Sequence, residues 1–509
     1  MKKLTLVVLV GLAILAYLFL GQKDEIKTLS ISGPFEFSSQ DLSKDGFLFT
    51  RLQVVEPLVG INQKSELFPV LAESWQQSED RLSWSFNIRG NVTFHDGTPL
   101  TAETVALSLR RALDKPGVLK RAPIESITAN GNQVVIKLTK PFVPMLSVLA
   151  HFSTSIAAPS SYDESGEVVN LQGTGPYQVS ELVPPHKALV KTFDGYWGEK
   201  PSIQQVSYLA GHRSESRALL AQSGQVDLVY TLDPLSLESL NASENLNTHV
   251  ISMPRTVMIK LNNEHPLLNH ADIRQALSLV IDRKGIADHV LRLPGSEAYQ
   301  LFSPALGVWH LGDYGAKARD VEKAKQLLAS LGWALNSENK LEKEGQVFEI
   351  NLTTYADRPE LPLIATAIQA QLAEVGITVD ITIDNSSAIP SRHHDGTLEM
   401  ALIARNYGIL ADPLTLLLND FATHKGSDWG PTNWSSSEFT NILNELAVQN
   451  DVTEYRKMIP DASKLLADEM PLIPITYYQQ IIAVNKRVEN FSFDPFELNY
   501  RVAEMKLND

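Results

Sequence analysis

The sequence predicts an α/β fold, and three observations carry that prediction. A β-α-β pattern sits late in the chain. VFEINLTTY places Phe348, Ile350 and Leu352 on one side of a strand, LPLIATAIQAQLAEVG lines up Ile364, Ile368, Leu372 and Val375 on a helix, and ITVDITID reads as a strand again. Strand-like and helix-like segments alternate elsewhere, without a fixed-period repeat, heptad or low-complexity stretch. At 509 residues the chain exceeds what one hydrophobic core supports, and a size of ~150 residues per domain gives about three.

The elements follow in order. KTLSISG reads as a first strand. GFLFTRLQVVEPLVGI has helical apolar spacing through Phe47, Leu52, Val55 and Leu58, and is expected to end at Gly60. LSWSFNIR alternates Trp84, Phe86 and Ile88 and pairs with NVTF. HDGTPLTAETVALSLRRAL is a turn at Asp96-Gly97 leading into a helix with Thr101 as its N-cap and Glu103 in the positive first turn. ADIRQALSLVIDRKGIADHVL is an amphipathic helix capped at Asn269 or His270, and Gly376 closes the helix of the β-α-β unit.

Charge and composition narrow the function. A net charge of −15 with no basic stripe argues against a nucleic-acid partner, which would need clustered Lys and Arg for its phosphates. The apolar share of 44% and charged share of 20% are ordinary for a folded protein. The chain has no cysteine, which excludes disulfides, thiolate metal sites and attachment through a lipidated cysteine.

Residues 1–24 read as an export segment. MKK precedes the apolar run LTLVVLVGLAILAYLFLG, long enough as a helix to cross ~27 Å of hydrocarbon. The two lysines ahead of it place the body of the protein outside the cytoplasm. The exit AYLFLGQ carries no A-x-A, so an uncleaved membrane anchor is preferred to a cleaved signal peptide.

Motifs for chemistry are missing: no G-x-S-x-G, phosphate loop, G-x-G-x-x-G, H-E-x-x-H or EF-hand loop is present, and GTGPY is a turn. The chain is read as a binding protein rather than an enzyme.

Several stretches, taken in order, resemble one family. They are VVEPLVG, FPVLAESWQQSEDRLSWSFNIRGNVTFHDGTPLTAETV, GTGPYQVSEL, FDGYWGEKPSIQQV, MIKLNNEHPLLNHADIRQALSLVIDRKGI and DVEKAKQLLASLGW. The chain is similar, from about residue 27 to 500, to family 5 of the extracytoplasmic solute-binding proteins of ABC importers, a group of oligopeptide, dipeptide and nickel binders.

That resemblance implies a two-lobed periplasmic-binding-protein fold with a hinged cleft and an extra domain inserted in the first lobe. Lobe I would comprise residues 25–58, 172–262 and 481–509, domain II residues 59–171, and lobe III residues 263–480. It also implies a monomer that captures a small solute outside the cytoplasmic membrane and delivers it to permease and ATPase subunits. DGTPLTAETV and FDGYWGEKP become fold signatures, and His95 a structural residue.

The loop ARNYGILADP at 404–413 bears on the ligand. Peptide-binding members carry an aspartate there for the peptide ammonium, which needs a carboxylate once out of water. Here an Ile-Leu pair stands in its place, and Asp412 belongs to the turn. The loop is closer to that of the nickel- and metallophore-binding branch, which implies a ligand site of Arg405, Tyr407 and His424, with Trp429, Asn433 and Trp434 in the cleft-facing segment.

In that reading Arg405 takes a carboxylate of a metal chelate, Tyr407 walls it, and His424 completes the metal's coordination through the chelate. No cofactor is expected beyond nickel or another transition metal carried in the ligand. One departure is that HFSTSIAAPS lacks the arginine this branch places before its APS. The plainer alternatives are an ion pair for Arg405, packing for the aromatic residues and a surface loop for His424. His393-His394 read as a solvated pair. An oligopeptide or dipeptide receptor of the same family, and a membrane-anchored sensor with the same fold, are the alternative functions.

Overall fold

A computed structural model describes residues 27–62, 66–316, 318–356, 358, 360–410, 412–421, 429–430, 432–449 and 451–508. The expected anchor at 1–24 and His424 lie outside them. Among the described residues no helix is long and apolar enough to cross a membrane.

The main sheet has ten strands. We number them β1 (Thr28–Gly33), β2 (Tyr177–Val183), β3 (Lys187–Thr192), β4 (Gln205–Ala210), β5 (Leu228–Val229), β6 (Leu246–Leu261), β7 (Glu349–Tyr355), β8 (Thr378–Asp384), β9 (Met400–Asn406) and β10 (Leu472–Asn485). Their spatial order is β8-β7-β9-β6-β10-β5-β1-β4-β3-β2. The expected β-α-β unit is present: β7 and β8 pair in parallel from Glu349↔Thr378 to Tyr355↔Asp384, joined by a helix at Glu360–Ala373. That helix buries Ile364, Ile368 and Leu372, and Gly376 follows it at φ 82°.

The sheet is continuous only through β6 and β10, which run antiparallel along most of their length. They contribute to two cores, with Val257, Ile259 and Ile473 in one, Ile482 and Val484 in the other, and Leu246, Ile481 and Ala483 again in the first. One core gathers Leu29, Ile31, Val190, Val206 and Ile482 around β1, β3 and β4. Another gathers Ile259, Leu277, Ile350, Leu352, Ile368 and Leu402 around β7–β9. Partway along, the β6–β10 register breaks: Ser252 faces Gln479, whereas Thr256 faces Tyr477. Met253, Pro254 and Arg255 oppose Tyr478 alone, an irregularity that Pro254, with no N–H to donate, helps to create.

A third core belongs to a separate antiparallel sheet, in the order Ala72–Gln77, Ser83–Ile88, Gln133–Leu138, Ile124–Asn130. Trp84, Phe86 and Ile88 face it as their alternation predicts, with the helix Ala102–Asp114 laid against them. Thr101 caps that helix in a reciprocal pair with Thr104. Thr101→Ala is expected to cost about 1 kcal/mol of stability, read by urea unfolding.

Three expectations are corrected. NVTF is not a strand: a single bridge, Thr93↔Pro99, leads into the Asp96-Gly97 turn. The helix from Gly46 stops at Arg51, because the carbonyls of Gln53 and Val54 are taken by the backbone N–H groups of Tyr177 and Gly175. The helix beginning at Ala271, capped by His270, ends at Val280, whose carbonyl accepts from Arg319 Nε at 2.8 Å.

Candidate functional site

The motifs without chemistry meet at one junction. Glu56 Oε2 accepts from Trp197 Nε1 at 3.0 Å and from Thr174 Oγ1 at 2.8 Å, while Oε1 accepts from Tyr196 OH at 3.2 Å. His95 accepts from the N–H of Gly173 at 3.2 Å, and its Nε2 lies 3.0 Å from the carbonyl of Gly175. A Cβ on Gly173 or Gly175 would fall 2.0 or 2.1 Å from the carbonyl oxygens of Val54 or Gln53, so GTGPY is glycine-rich for close backbone approach. Burial lowers the His95 pKa to about 4, which keeps the ring neutral in this structural role.

The large cleft lies elsewhere, at the break between β6 and β10. It encloses about 750 Å³, the size of a small-solute site. One wall comes from the β1–β5 side, with Phe35, Arg213, Arg217, Thr231 and Asp233. The opposite wall carries Tyr355, Arg358, Glu360 and Trp429, and Thr476–Gln479 of β10 close the back. Tyr355 and Trp429 stack with ring centroids 5.8 Å apart and give this wall an aromatic lining.

The loop from Arg405 to Asp412 is placed behind this cleft. Arg405 is 2% exposed and makes a two-pronged pair with Asp420, Nη2 to Oδ1 at 2.8 Å and Nε to Oδ2 at 3.2 Å. Tyr407 is 1% exposed, packs edge-on against Phe302 and donates its backbone N–H to Pro254 in the β6 irregularity at 2.8 Å. A Cβ on Gly408 would sit 2.2 Å from Pro254, so the glycine allows the loop to press on the hinge. Leu410 enters the core of the separate sheet. Asp412 caps the next helix through Leu414 N at 2.8 Å and accepts from Tyr455 OH at 2.7 Å.

Among the six expected ligand residues, Trp429 lines the cleft. Arg405 and Tyr407 instead border, with Lys260 and Asp420, a void of about 10 Å³, room for one water at most. Asn433 donates to Asn262 at 2.9 Å with φ 52°. Trp434 packs on Phe421 and Phe439 and donates to Glu469 at 3.1 Å. His424 lies outside the described residues.

His393 requires a correction. It is not solvated but buried, 3% exposed, and burial followed by the charge of Lys260 lowers its pKa to about 3.

Residues that sequence reasoning did not single out form a chain of charge along the hinge. Glu497 holds Arg255 at 2.9 Å and Arg51 at 3.7 Å. The guanidinium of Arg255 lies 4.9 Å from the centroid of Tyr478, and Arg358 lies at the same distance from that ring. Arg217 is buried and donates to the carbonyls of Gly211, His212, Tyr230 and Thr231 at the cleft edge. A lone arginine carries no periodic signal, so only the folded arrangement brings these together.

The model of the bacterial extracellular solute-binding proteins, family 5, matches residues 66–428 of this chain, more than half its length. The chain belongs to that family. The nickel-binding periplasmic protein of Escherichia coli (strain K12) is 27% identical over 480 residues, covering 90% of each chain. The fold resembles that of NikA from Staphylococcus aureus in complex with Ni(L-His)2, with a TM-score of 0.78 and 24% identity over 95% of this chain and 100% of that one. It also resembles the oligopeptide-binding protein AppA from Bacillus subtilis in complex with a nonapeptide, with a TM-score of 0.78, 20% identity, and coverage of 95% and 99%. The two-lobed fold and a role in binding solute outside the cytoplasm follow from this membership.

Proposed function

We propose that the chain captures a nickel or other transition-metal chelate and delivers it to the permease and ATPase of an ABC importer, binding without catalysis. The observation that carries the reading is a cleft of about 750 Å³ opened at a hinge and lined in part by the Tyr355–Trp429 stack, room and an aromatic wall for a small chelate. The similarity to nickel-binding relatives supports the same reading. In this proposal lobe I comprises residues 25–58, 172–262 and 481–509, domain II 59–171, and lobe III 263–480, and the protein acts as a monomer. His424 is proposed to reach the metal once the lobes close, with Trp429 against the chelate.

A peptide ligand is the second reading, favoured by Asp233 and Glu360 in the cleft walls, where an ammonium would find a carboxylate. The 404–413 loop itself places the apolar Ile409 and Leu410 where the resemblance calls for an acid.

Calorimetry with nickel–bis(L-histidine) beside di- and tripeptides separates the two. A bound ligand at a hundredfold excess over its Kd is expected to stabilise the protein by about 2.7 kcal/mol, visible as a higher melting temperature, and scattering is expected to show a more compact particle. Micromolar peptide binding with no response to the nickel complex would replace the first reading by the second.

We further propose that the apolar run near the N-terminus remains attached as a membrane anchor. N-terminal sequencing of the exported protein is expected to begin at Met1 in the membrane fraction. A mature chain starting near Gln22 would refute the anchor.

A further inference from the structure

We propose that the protein has a second small-molecule pocket, away from the cleft, which takes an uncharged ligand made of an apolar ring and a hydrogen-bond acceptor. The pocket encloses about 300 Å³ between the separate antiparallel sheet and the chain that follows β9. Trp84 and Ser147 line one side, and Asp412, Gln449 and Tyr455 the other. None of these residues borders the cleft, so the proposal stands whether the cleft takes a chelate or a peptide.

Two polar groups on its walls point to a ligand. Trp84 is 8% exposed, and its indole N–H has no hydrogen-bond partner among the described residues. Ser147, 6% exposed on the turn Met145–Val148, has a hydroxyl that no hydrogen bond engages among the described residues. Buried polar groups without partners are costly and uncommon in folded proteins. An acceptor carried into the pocket satisfies donors of this kind. A water takes only about 30 Å³, a small part of this space.

The remaining walls set the class of ligand. Trp84, Pro144 and Leu146 give apolar surface for a ring. Asp412 is the one charged group among the described lining residues, and its oxygens are taken by Leu414 N–H at 2.8 Å and Tyr455 OH at 2.7 Å. An anion would meet this carboxylate with no counter-charge on the walls. Gln449 accepts from Asp451 N–H at 2.9 Å through Oε1, which leaves its amide NH₂ as a further donor. The two sides are already tied together: Arg81 donates to the carbonyl of Val448 at 2.7 Å, and Val143 N–H to that of Ala447 at 3.2 Å. The pocket is therefore held in shape before a ligand arrives.

Fluorine NMR of the full chain tests this with 4-fluorobenzamide, 4-fluorobenzoate and fluorobenzene, three probes of one ring. 4-Fluorobenzamide is expected to bind saturably, about 3- to 10-fold more tightly than fluorobenzene, the range of a neutral hydrogen bond, and the benzoate least of all. Trp84→Phe keeps an apolar wall without the N–H; it is expected to remove most of the preference for the amide and to leave fluorobenzene unchanged. Ser147→Leu fills the pocket and is expected to abolish binding. Val452→Trp, at a lining position 63% exposed, obstructs it without disturbing a core and is expected to do the same.

The absence of saturable 4-fluorobenzamide binding overturns the proposal. So does binding that survives both Ser147→Leu and Val452→Trp, which would place the probe elsewhere. Equal or tighter binding of the benzoate, or of fluorobenzene, overturns the assigned class of ligand.

Discussion

Asp420→Ala is expected to destabilise the unliganded protein by about 3–5 kcal/mol, because it removes the carboxylate paired with a buried cation. Arg405 is 2% exposed and makes a two-pronged pair with Asp420. Lys260 shares the same pocket. Burial lowers its pKa to about 7, with Asp420 acting in the opposite direction and Arg405 reinforcing the fall. Removing Asp420 therefore leaves two cations facing each other across a void too small for more than a water. Lys260 can shed its proton; Arg405 cannot.

Urea unfolding of the ligand-free chain measures the cost. The double change Asp420→Leu with Arg405→Met is expected to recover most of it, since apolar residues of similar volume replace a buried pair at little loss. If Arg405 served the ligand directly, Asp420→Ala would change affinity and leave unliganded stability within about 1 kcal/mol. That result would return Arg405 to the binding site.

This pair also shows what was legible in the sequence. An arginine and an aromatic residue two apart in a loop after a strand predict a cation and a ring in the cleft, whereas the end of β9 sets both against a separate small void. Their orientation depends on Asp420, fifteen positions later on the helix that follows, and on Pro254 in a different strand, neither of which any local spacing links to them.

The β-α-β unit was readable because its apolar periods are local: Ile364, Ile368 and Leu372 share one face wherever the helix lies. The helix from Gly46 was over-extended because Leu52, Val55 and Leu58 are buried in either conformation, so apolar spacing could not distinguish a helix from a chain tied down by Gly175 and Tyr177. Arg358 was missed for the converse reason. Nothing in its neighbours marks it, and it reaches the cleft wall beside Tyr478, more than a hundred residues away.

Glu56 is expected to make the fold less stable as pH rises from about 4.5 to about 7. Burial raises its pKa from 4.5 to about 7, against the lowering effect of the donors Trp197, Thr174 and Tyr196 and the charge of Arg89. The folded state thus holds a proton that the unfolded state has released across this window. The contribution is fully present below about 4.5 and lost as pH passes about 7, a difference of roughly 3 kcal/mol.

Buried histidines act in the other direction. His95, lowered to about 4, and His151, lowered to about 3, favour folding as pH rises toward the ordinary histidine value of 6.5. The raw profile of the wild-type chain therefore mixes opposite slopes, and Glu56→Gln isolates one of them. A glutamine can present its oxygen to Trp197 and Thr174 and its amide to the Tyr196 oxygen, so it imitates the protonated acid.

The variant is expected to match wild type near pH 4.5 and to exceed it by about 3 kcal/mol at pH 8, by urea unfolding at each pH. A gap that stays constant across this range would mean that Glu56 remains ionised in the junction, with its three donors outweighing burial. If the gap opens as expected, the junction that joins EPLVG, GTGPY and FDGYW is held by a neutral acid in mildly acidic surroundings and strained by a buried charge above pH 7.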